Sequence, residues 1–117
     1  MQDGISIVMY VANRARSLHT MLRSLRLNSR RENEVILVED RSYEHVPQED
    51  EEVPGGLSCG EMLDKRMDQY IGGGIRAIRR VKYSGKYVDP DSLVSPHWHL
   101  WMAQAVNEGA AVATKFW

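Results

Sequence analysis

The sequence has one cysteine, Cys59, so no intramolecular disulfide can brace the chain, and no Cys/His array has zinc-finger spacing. That usage suits a reducing, cytoplasmic compartment. An excess of either charge is missing too: 15 Lys and Arg stand against 16 Asp and Glu, a formal net charge of -1. No sequence-wide field therefore favours nucleic acid or an anionic membrane. The longest apolar runs fall far below the ~20 residues needed to cross a bilayer, so direct membrane insertion is not expected. Met1-Gln2-Asp3-Gly4 supplies neither the basic region nor the cleavage site of a signal peptide. Gly-x-Gly-x-x-Gly does not follow the first apolar run, which argues against a dinucleotide-binding domain. Gly72-Gly73-Gly74 lacks the Lys-Ser/Thr ending of a P-loop.

What is there is ordinary globular usage, with 43% hydrophobic and 26% charged residues in 117, enough for one soluble domain, residues 1–117, with a working core. Ile5 to Val11 is a nearly continuous apolar, β-branched run, as in a strand covered on both faces of a parallel sheet. Leu18, Met21, Leu22 and Leu25 then recur at i, i+3, i+4 and i+7, the stripe of an amphipathic helix with Arg16, Arg23 and Arg26 on its other faces. The polar segment from Asn28 to Asn33 ends that helix, and Glu34 to Asp40 supplies a second buried strand closing on two acids. Strand, helix and strand imply a parallel crossover.

The acidic, Pro- and Gly-containing stretch from Tyr43 to Gly56 reads as an exposed loop. Leu63, Met67 and Tyr70 predict a short helix stopped by Gly72-Gly73-Gly74, and Ile75 to Val81 a third strand whose basic residues suit a sheet edge. Trp98, Trp101, Met102, Ala105 and Val106 form the strongest helical stripe, with Pro96 near its start and Gly109 near its end. Ala110 to Thr114 is expected to start a fourth strand. The fold class is thus α/β, a three-layer αβα sandwich on a mainly parallel sheet of about four strands.

Residues 5–14, the helix after them and residues 34–42 together resemble the opening of family-two nucleotide-sugar glycosyltransferases of the GT-A fold. In that family a strand ends in a Tyr-Asn-Arg-like turn, a Leu-rich helix follows, and a second strand ends Val-Asp-Asp-Gly-Ser. Here the corresponding segments are Tyr10-Val11-Ala12-Asn13-Arg14 and Val38-Glu39-Asp40-Arg41-Ser42. The resemblance implies a donor pocket in which Asp40 meets the uracil or other base, with Tyr10, Asn13, Arg14 and Glu39 around it. The partner it implies is a nucleotide sugar such as a UDP-sugar, accompanied by a divalent cation, Mn or Mg. Independently of the family, ligands of open parallel sheets sit at the carboxyl ends of the strands, where Asn13 and Asp40 fall. Asp40 can accept hydrogen bonds from a base N–H, and Arg14 can meet a phosphate.

The family's Asp-x-Asp motif belongs just after the fourth strand, where this chain reads Thr114-Lys115-Phe116-Trp117. The expectation is a donor-binding half, short of the metal-binding and catalytic-base segments, whose catalytic residues are unknown. Asp89-Pro90-Asp91 spells Asp-x-Asp but precedes the third helix and reads as a turn. His97 and His99 diverge by about 200° on a helix and make a poor chelate, and Trp98 and Trp101 read as core. Two functions remain open: a glycosyltransferase-like binder of a nucleoside diphosphate sugar, truncated or completed by another chain, and a non-catalytic interaction module. The second would be covered by a partner chain or assembled as a homo-oligomer.

Overall fold

The computed structural model describes residues 2–44, 56–83 and 106–113. In chain order it contains β1 (Gln2–Val11), α1 (Ala15–Asn28), β2 (Arg31–Glu39), α2 (Cys59–Tyr70) and β3 (Ile75–Lys82). Among the described residues the sheet has three strands in the order β1-β2-β3, each parallel to its neighbour. The molecule is therefore α/β with a parallel sheet, as the strand and helix periodicities predict.

β2 is the central strand, and Val35, Ile36, Leu37 and Val38 are each 0% exposed. Alternation along the strand sends Val35 and Leu37 into the core beneath α1 and α2, and Val38 to the opposite face with Val8, Tyr10 and Tyr83. Burying those four side chains is worth roughly 6–12 kcal/mol, comparable with the whole net stability of a small domain. The strand starts at Arg31, three residues before the expected start at Glu34, because Gln2 and Asp3 of β1 pair with Arg31 and Glu32. Backbone pairing there outweighs side-chain polarity.

On α1, Leu18 and Leu22 are buried and Met21 and Leu25 partly so, the predicted stripe. α2 starts earlier than its apolar spacing indicates, at a capping box. Ser58 Oγ accepts from the Glu61 N–H at 3.3 Å, and Glu61 Oε1 accepts from the Ser58 N–H at 3.3 Å. The Ser58-x-x-Glu61 spacing carried that signal in the sequence. The triple glycine after α2 is a site of close approach. A Cβ at Gly73 or Gly74 would collide with the carbonyl oxygens of Arg26 and Leu25, and Gly73 adopts a φ of 51°. The Gly74 N–H donates to Arg26 O at 3.0 Å, fastening the turn to the end of α1.

Asn33 joins these parts. Its Nδ2 donates to Gly74 O at 3.0 Å and Ser29 Oγ at 2.8 Å, while its Oδ1 accepts from the Ile5 N–H at 3.2 Å. At 5% exposure, the amide gives backbone groups of β1 and the α2–β3 turn partners that no apolar side chain could supply.

The predicted fourth strand is not found at 110–113. Residues 106–110 are helical and 111–112 form a turn. A Cβ on Gly109 would collide with Val8 and Val38, so this turn presses its backbone onto the sheet face opposite α1 and α2. The N–H groups of Ala111, Val112 and Ala113 donate to the carbonyls of Asn107, Gly109 and Ala110, each at 3.1 Å, so they close a local turn instead of a ladder. The stripe from Trp98 to Ala105, Asp89-Pro90-Asp91, His97, His99, residues 45–55 of the acidic stretch and Thr114 to Trp117 lie outside the described residues. No helix among the described residues is long and apolar enough to cross a membrane.

Two outcomes are expected. Asn33→Ala should lower the unfolding free energy in urea by about 2 kcal/mol, since it strips partners from buried backbone groups. His19, on α1, meets the hydroxyl of Tyr70, on α2, through Nδ1 at 2.7 Å. Burial lowers its pKa below the usual value of about 6.5, helped by the Arg23 and Arg66 charges. The unfolded chain thus binds the proton more readily, so stability should fall as pH drops below about 6.5, with a flatter slope between pH 7 and 5 in His19→Gln.

Candidate functional site

The parallel strands end together, and beyond their carboxyl ends lie two cavities. The first, about 500 Å³, is bounded by the last residues of β1, the turn Ala12-Asn13-Arg14 and the first turn of α1. Met9, Val11, Leu18 and Met21 make an apolar floor, and Asn13, Arg14, Ser17 and Arg41 supply polar groups. Arg14 is the N-cap residue of α1 but gives it no side-chain cap, and the first turn contains no acid. The positive end of the helix and the arginine thus favour the same charge of ligand. The second cavity, about 480 Å³, lies over the ends of β2 and β3 and is lined by Glu39, Arg41, Ser42, Tyr43, Arg80 and Lys82.

Of the five residues expected at a donor site, Tyr10, Asn13 and Arg14 line the first cavity and Glu39 lines the second. Asp40 belongs to neither lining: it is 7% exposed, and its Oδ2 accepts a 2.6 Å hydrogen bond from the Tyr10 hydroxyl. Tyr10 packs edge-on against Tyr83 with ring centroids 6.4 Å apart, on the face away from α1. Burial, reinforced by the bond to Asp40, raises the Tyr10 pKa and keeps the phenol protonated as a donor. The other oxygen of Asp40 faces Arg41 Nε at 3.5 Å.

Glu39 is held just as firmly on the opposite side. Arg80 grips it through Nε at 2.6 Å and Nη2 at 2.8 Å, a two-pronged contact, and Ser42 Oγ donates at 2.8 Å. Arg80 also reaches Asp64 of α2 at 2.5 Å, and the Tyr43 hydroxyl donates to Asp64 at 2.8 Å. These bonds, Arg80 first and Tyr43 second, lower the Asp64 pKa. Among the described residues no group of three or more His, Cys, Asp or Glu is placed to hold a metal. The acids at the end of β2 do not fit a divalent cation: Arg80 and Ser42 use the oxygens of Glu39, and Tyr10 and Arg41 those of Asp40.

Sequence reasoning missed Arg80 and Arg41. The first looked like one basic residue among several on an edge strand. Its signal was register: opposite Leu37, it faces the α2 side, beside Glu39 and Asp64. Cys59, read as a lone thiol, is buried at the start of α2 and borders the first cavity. When the chain is compared with known proteins, no family, characterised protein or solved structure matches it.

Replacing Arg80 with Met should cost about 2 kcal/mol in urea unfolding, because Glu39 is left nearly buried without its counter-charge. The same change should move the Asp64 carboxyl titration, followed by NMR, back up toward the ordinary aspartate range.

Proposed function

We propose that this domain binds a nucleoside diphosphate sugar at the carboxyl edge of its sheet. The observation that carries the reading is the first cavity, which joins an apolar floor to a rim of Asn13, Arg14 and Arg41. Its volume, about 500 Å³, lies within the usual range for small-molecule sites. A flat heterocycle suits the floor, the Asn13 amide can pair with a base edge, and Arg14 with the first turn of α1 suits a phosphate. Asp40 serves this pocket indirectly: bound to Tyr10, it fixes the turn that presents Arg41. Glu39 has the structural task of holding Arg80.

The reading carries a three-layer arrangement, supported by the packing of Gly109 on the second sheet face. A cytoplasmic setting suits the buried, reduced Cys59. Sugar transfer also needs a base and stabilisation of the leaving diphosphate. A second chain, or a second copy, would supply them and the ligands of any Mn or Mg ion, making the domain the donor-binding part of a glycosyltransferase-like assembly.

The test is thermal unfolding with nucleoside diphosphates and their sugars, each with and without Mn²⁺. A ligand present at a hundredfold excess over its Kd should add about 2.7 kcal/mol, and Asn13→Ala and Arg14→Ala should each weaken that response. A melting temperature unmoved by every ligand would overturn the reading and leave a non-catalytic interaction module.

A further inference from the structure

Arg41 is the one described non-glycine residue with a positive φ, 52°. The left-handed conformation suits glycine and strains any residue with a Cβ. Hydrogen bonds on both sides hold it there: the Asp40 N–H donates to Val11 O at 2.8 Å, the Glu44 N–H to Arg41 O at 3.1 Å, and the Gly60 N–H to Ser42 O at 2.7 Å. All three use backbone atoms, so a glycine at position 41 would keep them and relieve the strain. The arginine side chain adds to them by facing Asp40, Nε to Oδ1 at 3.5 Å.

Its position indicates what else it can do. Among the described residues Arg41 is common to the linings of the two cavities, so this residue, its side chain half exposed, stands between them. The cavities differ in chemistry, the first having an apolar floor and the second being lined by Glu39, Ser42, Tyr43, Arg80 and Lys82. Arg80 is matched to Glu39 and Arg41 faces Asp40, and Lys82 adds a further cation to the second lining.

We infer that one ligand spans both cavities and lays a diphosphate across Arg41, with its base in the first cavity and its sugar in the second. This rests on the nucleotide-sugar reading and adds to it the residue that bridges the two ends. A guanidinium matches two phosphate oxygens in a planar fork, which explains an arginine where the backbone favours glycine. Backbone strain is then retained because the side chain it presents meets the ligand.

The experiment uses the full chain and the variants Arg41→Gly and Lys82→Ala, with uridine, UDP, UDP-glucose and inorganic pyrophosphate as calorimetric titrants. Arg41→Gly also removes the positive charge facing the buried Asp40, so without ligand it is expected to melt below the unmodified protein, and binding is compared at a temperature where both are folded. It should bind UDP and pyrophosphate at least about tenfold more weakly, with uridine unchanged. Lys82→Ala should weaken UDP-glucose and UDP and spare uridine. Pyrophosphate binding lost in Arg41→Gly with no gain from a nucleoside would uphold the phosphate contact and overturn the nucleotide reading. Unchanged UDP affinity in Arg41→Gly would overturn the inference and leave that reading standing. No binding of any titrant to the unmodified protein would overturn both.

Discussion

The architecture hangs on β2 being hydrogen-bonded along both edges and buried on both faces. A strand in that position has no solvent-facing side, so each residue must belong to one packed layer or the other. Val35 and Leu37 anchor the layer of α1 and α2, and Val38 anchors the face shared with Tyr10 and Tyr83. Asn33 ties the start of the strand to β1 and to the turn before β3. The helical layer is fastened to itself by polar contacts. Arg26 donates to the carbonyls of Asp68 and Gln69 at the end of α2, and Tyr70 meets His19 across the α1–α2 seam.

The same alternation explains the chemistry at the carboxyl end of β2. Glu39 and Asp40 are neighbours in sequence but point to opposite faces, where each finds its own partner: Arg80 and Ser42 for one, Tyr10 and Arg41 for the other. Two adjacent acids therefore do not make one carboxylate pair. They act as braces, one on each side of the strand end, and the turn that follows is set between them with Arg41 at its tip. The open space near this edge lies over the apolar residues that end β1 and beside the basic residues that end β3.

Much of this was legible in the residues. The apolar runs at 5–11 and 34–40 and the i, i+3, i+4 stripe of α1 predicted the parallel crossover, because buried strands and amphipathic helices impose periods that the sequence must carry. The place of Asn13 and Arg14 at the carboxyl edge, where they line the first cavity, was legible because a strand-to-helix turn in a parallel sheet has one place to go. The Ser58-x-x-Glu61 capping box was also present, though the apolar spacing alone set the helix start too late.

What the chain's own residues determined, then, is the α/β class, the order of its elements and the edge at which a ligand is proposed to sit, since local periodicity and turn chemistry decide those. Tertiary structure alone decided which acids are engaged, which arginine grips them and which one stands at the wall between two cavities. Those outcomes depend on register between strands remote in sequence, such as Leu37 opposite Arg80, and on a left-handed φ at Arg41 held by contacts from β1 and α2. It likewise placed 106–110 as a helical turn with Gly109 against the sheet, because the fit of a backbone between Val8 and Val38 is invisible in a short apolar run.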